Sequence, residues 1–181
     1  MILQINGWPG VGKLTVGRII AKELGGRLLD NHTIYNPAFA LTEFRSLAFY
    51  DTVRAVRDVA FQRAAEIPNS IPIVMTNAYA DTDWGNENWD AIVQLARKRG
   101  ADLFLVILDC SLEENIRRAQ FTDRENLGKL RDPSAIAEMR SGRTLLSRDA
   151  DHLLFIDNTS VPPAACAKQI ISWVHTCLER T

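Results

Sequence analysis

The opening stretch, Met1-Ile-Leu-Gln-Ile-Asn-Gly-Trp-Pro-Gly-Val-Gly-Lys-Leu-Thr15, constrains the fold more than any other part of the chain. An apolar run stops at a glycine-rich turn, and apolar residues resume at helical spacing as Val16, Ile19, Ile20 and Leu24. Strand, tight turn and helix in that order predict an α/β unit whose turn lies at the carboxyl end of a strand. Gly7, Gly12 and Lys13 hold the fixed positions of G-x-x-x-x-G-K. In that pattern glycines let backbone N–H groups converge on phosphate oxygens, the lysine reaches the outer phosphates, and the helix aims its positive end at the same anion. Gly7, Pro9, Gly10, Val11, Gly12, Lys13, Leu14 and Thr15 are therefore the candidate contacts to a nucleotide phosphate.

Position 14 departs from the usual pattern, with Leu14 where a serine or threonine would hold magnesium. Each helical step turns a side chain by about 100°. Thr15 therefore does not simply replace the missing hydroxyl, and is a candidate for an inner phosphate or for the metal. The loop is similar to that of adenylate kinases, G-x-P-G-x-G-K-G-T, which Pro9 and Gly10 also fit. That resemblance implies nucleotide-dependent phosphoryl transfer and not a switch GTPase.

Further along, short strands are expected at 27–30, 71–75, 103–108 and 153–156, and helices at 42–65, 86–99 and 111–119, with others opening at Pro133 and at Pro162-Pro163. Gly25-Gly26 stops the first helix, and Tyr35, Pro37 and Phe39 are expected in an irregular connection. Arg54, Arg57 and Arg63 fall on the polar side of the helix at 42–65, and most of them read as solvated surface. Leu103 to Leu108 is apolar throughout, the mark of a parallel strand covered on both faces. Five strands alternating with helices predict a three-layer, doubly wound, five-stranded parallel sheet, and 181 residues suit a single domain, 1–181. From 121 to 132 apolar patterning gives way to Asp123, Arg124, Glu125, Lys129, Arg131 and Asp132, which marks a candidate mobile segment, a short lid.

A net charge of −1 argues against a dedicated nucleic-acid surface. Cys110, Cys166 and Cys177 lack metal-ligand spacing and read as packing residues in a reduced compartment. No apolar run approaches membrane-spanning length, and a strand starting at the first residues leaves no room for a signal peptide. The expectation is a cytoplasmic protein, off the membrane, as a monomer or small homo-oligomer.

The order of phosphate loop, Leu28-Leu-Asp-Asn-His32, Glu43-Phe-Arg45, a small polar loop after the third strand, Ile116-Arg-Arg118, the charged segment and Arg143-Thr-Leu-Leu-Ser-Arg148 resembles shikimate kinase and its small-molecule kinase relatives over nearly the whole chain. The resemblance implies ATP as phosphoryl donor, Mg2+, and a small hydroxyl-bearing acceptor. It makes Asp30 a magnesium or substrate residue, Arg45 and Arg143 substrate-binding arginines, one of Arg117 and Arg118 a cover for the nucleotide, and Arg131 the arginine of a closing lid. Lys13, Asp30, His32 and Arg131 form the expected catalytic set, since phosphoryl transfer needs positioned positive charge.

Two positions diverge. The relatives end their second strand in D-x-D, where this chain has Asp30-Asn31-His32, and their glycine triplet is replaced by Asn77-Ala78-Tyr79. Shikimate is therefore not carried over as acceptor, and Asn77 is kept as a substrate-side candidate. Asp30 reads equally as a helix or loop cap, and His32 as an acceptor base or an ordinary hydrogen-bonding residue. The leading reading is an ATP-dependent phosphotransferase. One alternative is a nucleoside or nucleoside-monophosphate kinase, suggested by the late Thr15; another is a nucleotide-binding regulator with little transferase activity, suggested by His32.

Overall fold

A computed structural model describes residues 1–120 and 132–179. Its centre is β1 (Ile2–Asn6), whose five residues are all buried. Hydrogen-bonded beside it lie β3 (Ile73–Asn77), in the register Ile2↔Ile73, and β4 (Leu103–Asp109), in the register Ile2↔Leu103. β2 (Arg27–Asp30) and β5 (His152–Asp157) complete an all-parallel sheet of order β2-β3-β1-β4-β5. Connections leaving the central neighbours β1 and β4 run to opposite edges of the sheet, and such a reversal opens a crevice at the carboxyl ends of the strands.

The period of two along β1 decides what meets each face. Leu3 and Ile5 point into one core with Val16 and Ile20 of α1 (Lys13–Glu23) and with Cys166, Ala167 and Ile170 of α7 (Pro163–Leu178). Ile2 points the other way, toward Trp89, Ile92 and Leu95 of α4 (Asp83–Arg99) and Ala64 of α3 (Leu47–Glu66). The result is three layers around a parallel sheet, as the sequence predicts. Burial pushes the Cys110 and Cys166 thiols up, in keeping with packing roles. Among the described residues no helix is long and apolar enough to cross a membrane.

Several local expectations are corrected. Residues expected to be irregular around Tyr35, Pro37 and Phe39 form α2 (Asn31–Leu41), capped by Asp30. Its Ile34 and Ala38 pack on Phe49 and Val53 of α3, and that burial offsets the cost of an internal proline. α3 starts at Leu47 and not at Thr42, because the Ser46 hydroxyl caps it through Phe49 N and Arg45 sits at φ 65° just before. Pro72, which has no N–H to give the ladder, stands just ahead of β3, and the strand runs on to Asn77. Arg57 is not solvated: it is 7% exposed and donates to Asn88 Oδ1 at 3.0 Å and Glu87 Oε1 at 3.2 Å. The remaining helices, α5 (Leu112–Ala119) and α6 (Pro133–Gly142), lie on either side of the expected lid, of which only Asp132 is among the described residues.

Candidate functional site

The turn after β1 is shaped by three glycines for different reasons. A Cβ at Gly7 would stand 2.2 Å from Leu108 O, so only glycine lets the loop start this close to β4. Gly10 and Gly12 adopt φ 101° and 98°, where a side chain is strained. Gly12 is the N-cap of α1, and no side chain caps that helix end. A helix start without a capping side chain offers its positive end to an anion. Lys13 Nζ donates to Gly7 O and Trp8 O, both at 2.8 Å, which holds the ammonium across the loop.

From this loop a cavity of about 1420 Å³ extends along the carboxyl ends of the strands. Ligand pockets for one small molecule span roughly 300–1,000 Å³, so this one has room for a nucleotide and an acceptor together. Among the described residues, Lys13, Arg18, Arg45, Arg117 and Arg118 line it against Asp30, Glu114 and Asp132, a positive lining in a chain of net charge −1. Such a field favours anions.

One part of the lining comes from α2 and the segment before α3, which contribute His32 and Arg45, with Asp30 at the end of β2. Asp30 Oδ1 accepts from His32 N at 2.8 Å and Thr33 N at 3.3 Å, so the carboxylate caps α2 while its second oxygen has no partner among the described residues. His32 Nδ1 lies 3.3 Å from Asn36 Oδ1. Arg45 sits 5.0 Å above the Phe44 ring, and Phe39 and Phe44, both exposed, stand 5.7 Å apart beside it. Asn77 is buried at the end of β3: its Nδ2 donates to Gln4 Oε1 at 3.2 Å, and its buried Oδ1 has no partner among the described residues.

Arg143 is placed apart from the other candidates. It lines a pocket of about 140 Å³ with Tyr35, Tyr79 and Trp84, which shares Asn31 and Ala78 with the large cavity. Trp84 Nε1 donates to Tyr35 Oη at 3.0 Å, and burial pushes Tyr35 up to about 12, so its hydroxyl keeps its proton there. Arg131 and the expected lid up to residue 131 lie outside the described residues; Asp132 caps α6 through Ser134 N at 2.9 Å and reaches the cavity.

The cavity is also lined by Arg117, Arg118 and residues 158–162 of the β5–α7 loop, with Pro163 at the start of α7. Arg117 is mostly exposed and pairs with Glu114 at 2.6 Å. Arg118 turns onto backbone, donating to Val11 O at 3.1 Å, Asn158 O at 2.8 Å and Thr159 O at 3.2 Å. The hydrogen bonds from Arg117, with those from Arg118, hold the Glu114 carboxyl down at about 2. Asp109, Asn115 and Arg140 form a further polar knot beside the loop, with Arg140 Nη1 2.8 Å from Asp109 Oδ1. A hint of Asn158 is present in the sequence, where the polar pair Asp157-Asn158 ends an apolar strand; Asn115 reads there as an ordinary surface helix residue.

Among the described residues no three His, Cys, Asp or Glu side chains cluster as a metal cage. Magnesium is usually held by one or two carboxylates together with phosphates and water. A cavity wall carrying one uncommitted Asp30 oxygen and the Thr15 hydroxyl fits that donor set.

No protein-family model and no curated protein matches the chain. Solved structures do. The gluconokinase of Sinorhizobium meliloti 1021 superposes with a TM-score of 0.63 at 14% identity, covering 98% of this chain and 93% of that one. Shikimate kinase of Acinetobacter baumannii, in complex with shikimate, gives 0.61 at 18% identity over 97% and 93%. The APS kinase of Mycobacterium tuberculosis, in complex with AMPPNP and APS, gives 0.61 at 17% identity over 96% of each chain. Full-length superposition with the sheet order and the loop after the central strand leads to one conclusion: this chain has the P-loop kinase fold.

Proposed function

We propose that this protein is an ATP-dependent kinase that transfers the γ-phosphoryl group to a hydroxyl of a small molecule. The observation that carries the reading is a cavity lined both by a glycine loop, a helix start without a capping side chain and Lys13, and by Asp30, one of whose carboxylate oxygens has no partner among the described residues. Lys13 and the loop amides hold the donor's phosphates, and Thr15 touches an inner phosphate or the metal. Asp30 orients the metal's water or the acceptor hydroxyl. His32 and Asn77 stand on the acceptor side, with Arg45 and Arg143 as the cations that receive the acceptor body. Mg2+, when bound, neutralises the phosphates. On the resemblance, Arg131 closes over the transferred group and stabilises its developing charge. The solved structures this chain resembles point the same way, since their names describe a shikimate kinase, an APS kinase and a gluconokinase.

A nucleoside or nucleoside monophosphate as acceptor is a second reading, favoured by the exposed Phe39 and Phe44 rings beside Arg45. Aromatic rings stack on bases, and an arginine pairs with phosphate. One assay tests both: ATP and Mg2+ turnover in the presence of sugars, hydroxy acids, nucleosides and nucleoside monophosphates. Stimulation by one class supports the enzyme reading and names the acceptor. Tight ATP binding with no stimulation by any class refutes it and leaves a nucleotide-binding regulator.

A further inference from the structure

The phosphate loop is gripped from behind. All peptide bonds of the described chain are trans, and in a trans peptide a carbonyl and the next residue's N–H point in opposite directions. Fixing a carbonyl therefore aims the following amide. Pro9 O accepts from Asn115 Nδ2 at 2.9 Å. Val11 O accepts from Asn158 Nδ2 at 2.8 Å and from Arg118 Nη1 at 3.1 Å. The amides that follow belong to Gly10 and Gly12, and neither donates to a partner among the described residues.

The grip is itself held. Asn115 and Asn158 are 0% and 3% exposed, and each uses its second polar atom. Asn115 Oδ1 accepts from Arg140 Nη1 at 3.2 Å, and Arg140 is pinned to Asp109. Asn158 Oδ1 accepts from Arg118 Nη1 at 3.0 Å, while Arg118 Nε is 2.6 Å from Glu114 Oε1. A buried polar network with its members satisfied is rigid and specifies one geometry.

We propose that Asn115 and Asn158 are positioning residues for the nucleotide: by holding the alternate carbonyls of Pro9 and Val11 outward, they present the Gly10 and Gly12 amides to a polyphosphate before it arrives. The inference rests on the nucleotide-phosphate reading above. Preorganised donors avoid an ordering cost on binding, so the effect falls on ligands that fill the loop, those carrying a pyrophosphate group.

The test is calorimetric titration of wild type, Asn115→Leu and Asn158→Leu with pyrophosphate, ADP and AMP. These neutral substitutions add no charge beside the anion. Loss of one net hydrogen bond predicts pyrophosphate and ADP affinities weaker by about 3- to 10-fold for each variant, with a much smaller change for AMP. In amide NMR spectra, the shift of Gly10 on adding pyrophosphate should shrink in the Asn115 variant, and that of Gly12 in the Asn158 variant. A lower melting temperature with unchanged pyrophosphate and ADP affinity overturns the proposal, as does an equal loss for all three ligands. Should the leucine variants fail to fold, wild type still decides: Gly10 and Gly12 resonances unmoved by saturating pyrophosphate overturn it. Wild type that binds neither pyrophosphate nor ADP refutes the nucleotide reading itself, whereas tight wild-type binding with indifferent variants refutes this inference alone.

Discussion

Gly7→Ala isolates the tightest steric demand in the loop. The added Cβ would meet Leu108 O at 2.2 Å, where ordinary contact begins near 3.4 Å, so roughly 1 Å must open between the loop start and β4. The obstacle is backbone, and no rotamer can relieve it. It also sits next to the paired residues Asn6 and Ile107, which ties the shift to the top of the β1–β4 ladder. Overpacking of this kind costs about 1–3 kcal/mol, which for a chain of this size lowers the melting temperature by about 2–12 °C. ATP affinity should fall with it, because the displaced backbone carries the phosphate amides. Gly25→Ala is the control: φ is 62° but nothing lies within 4 Å, so backbone strain lowers stability while ATP affinity stays as in wild type. Thermal melts and ATP titrations of the two variants check this. A Gly7→Ala protein that melts with wild type and binds ATP equally well would refute the claim that close approach to β4 shapes the loop.

Lys13→Ala should abolish ATP turnover while the protein still folds, since its ammonium donates to the carbonyls of Gly7 and Trp8 in the loop itself; full turnover by a folded variant rejects the loop assignment. Asp30→Asn keeps an oxygen for the α2 cap, so it should lower kcat at least tenfold without unfolding, and by more than His32→Gln; steady-state kinetics with the true acceptor decide the order. Arg131→Ala should lower kcat more than it weakens ATP binding, as expected for a charge used mainly in the transition state, and equal losses in both count against a lid role. Glu114 has its folded pKa depressed, so the stability it contributes is present above about pH 4.5 and is lost as the pH falls toward 2; the melting-temperature gap between wild type and Glu114→Gln should therefore close across that window.

The sheet was legible because burial on both faces leaves a plain record. Leu103 to Leu108 had to be apolar at every position, and β4 is buried at six of its seven. Where the record is mixed, tertiary packing overruled local signals. Pro37 argued for a break, yet the contact of α2 with Phe49 and Val53 keeps one helix through it. Arg57 follows the polar face of its helix in the sequence, but the carboxylate and amide that draw it inward, Glu87 and Asn88, sit on α4, about thirty residues later. Single-helix periodicity contains no information about that partner.

The same division runs through the candidate site. The demands on Gly7, Gly10 and Gly12 are local, set by the loop's own backbone and its approach to β4, and so they surface as a readable motif. The grip on that loop comes from Asn115 and Asn158, 106 and 147 residues from the carbonyls they hold, with no spacing rule to announce them. The proposed acceptor wall is harder still. It is assembled from side chains of α2, the turn at Arg45 and the end of β3, and its chemistry depends on which of several surface residues happen to converge. A donor phosphate presents the same oxygens to every such loop, so the backbone can recognise it; an acceptor must be recognised by side chains, and these are free to differ. Specificity should therefore respond to Phe44, Arg45 and Arg143, at the two openings that meet near Asn31 and Ala78, while substitutions in the glycine loop reduce turnover of every acceptor alike.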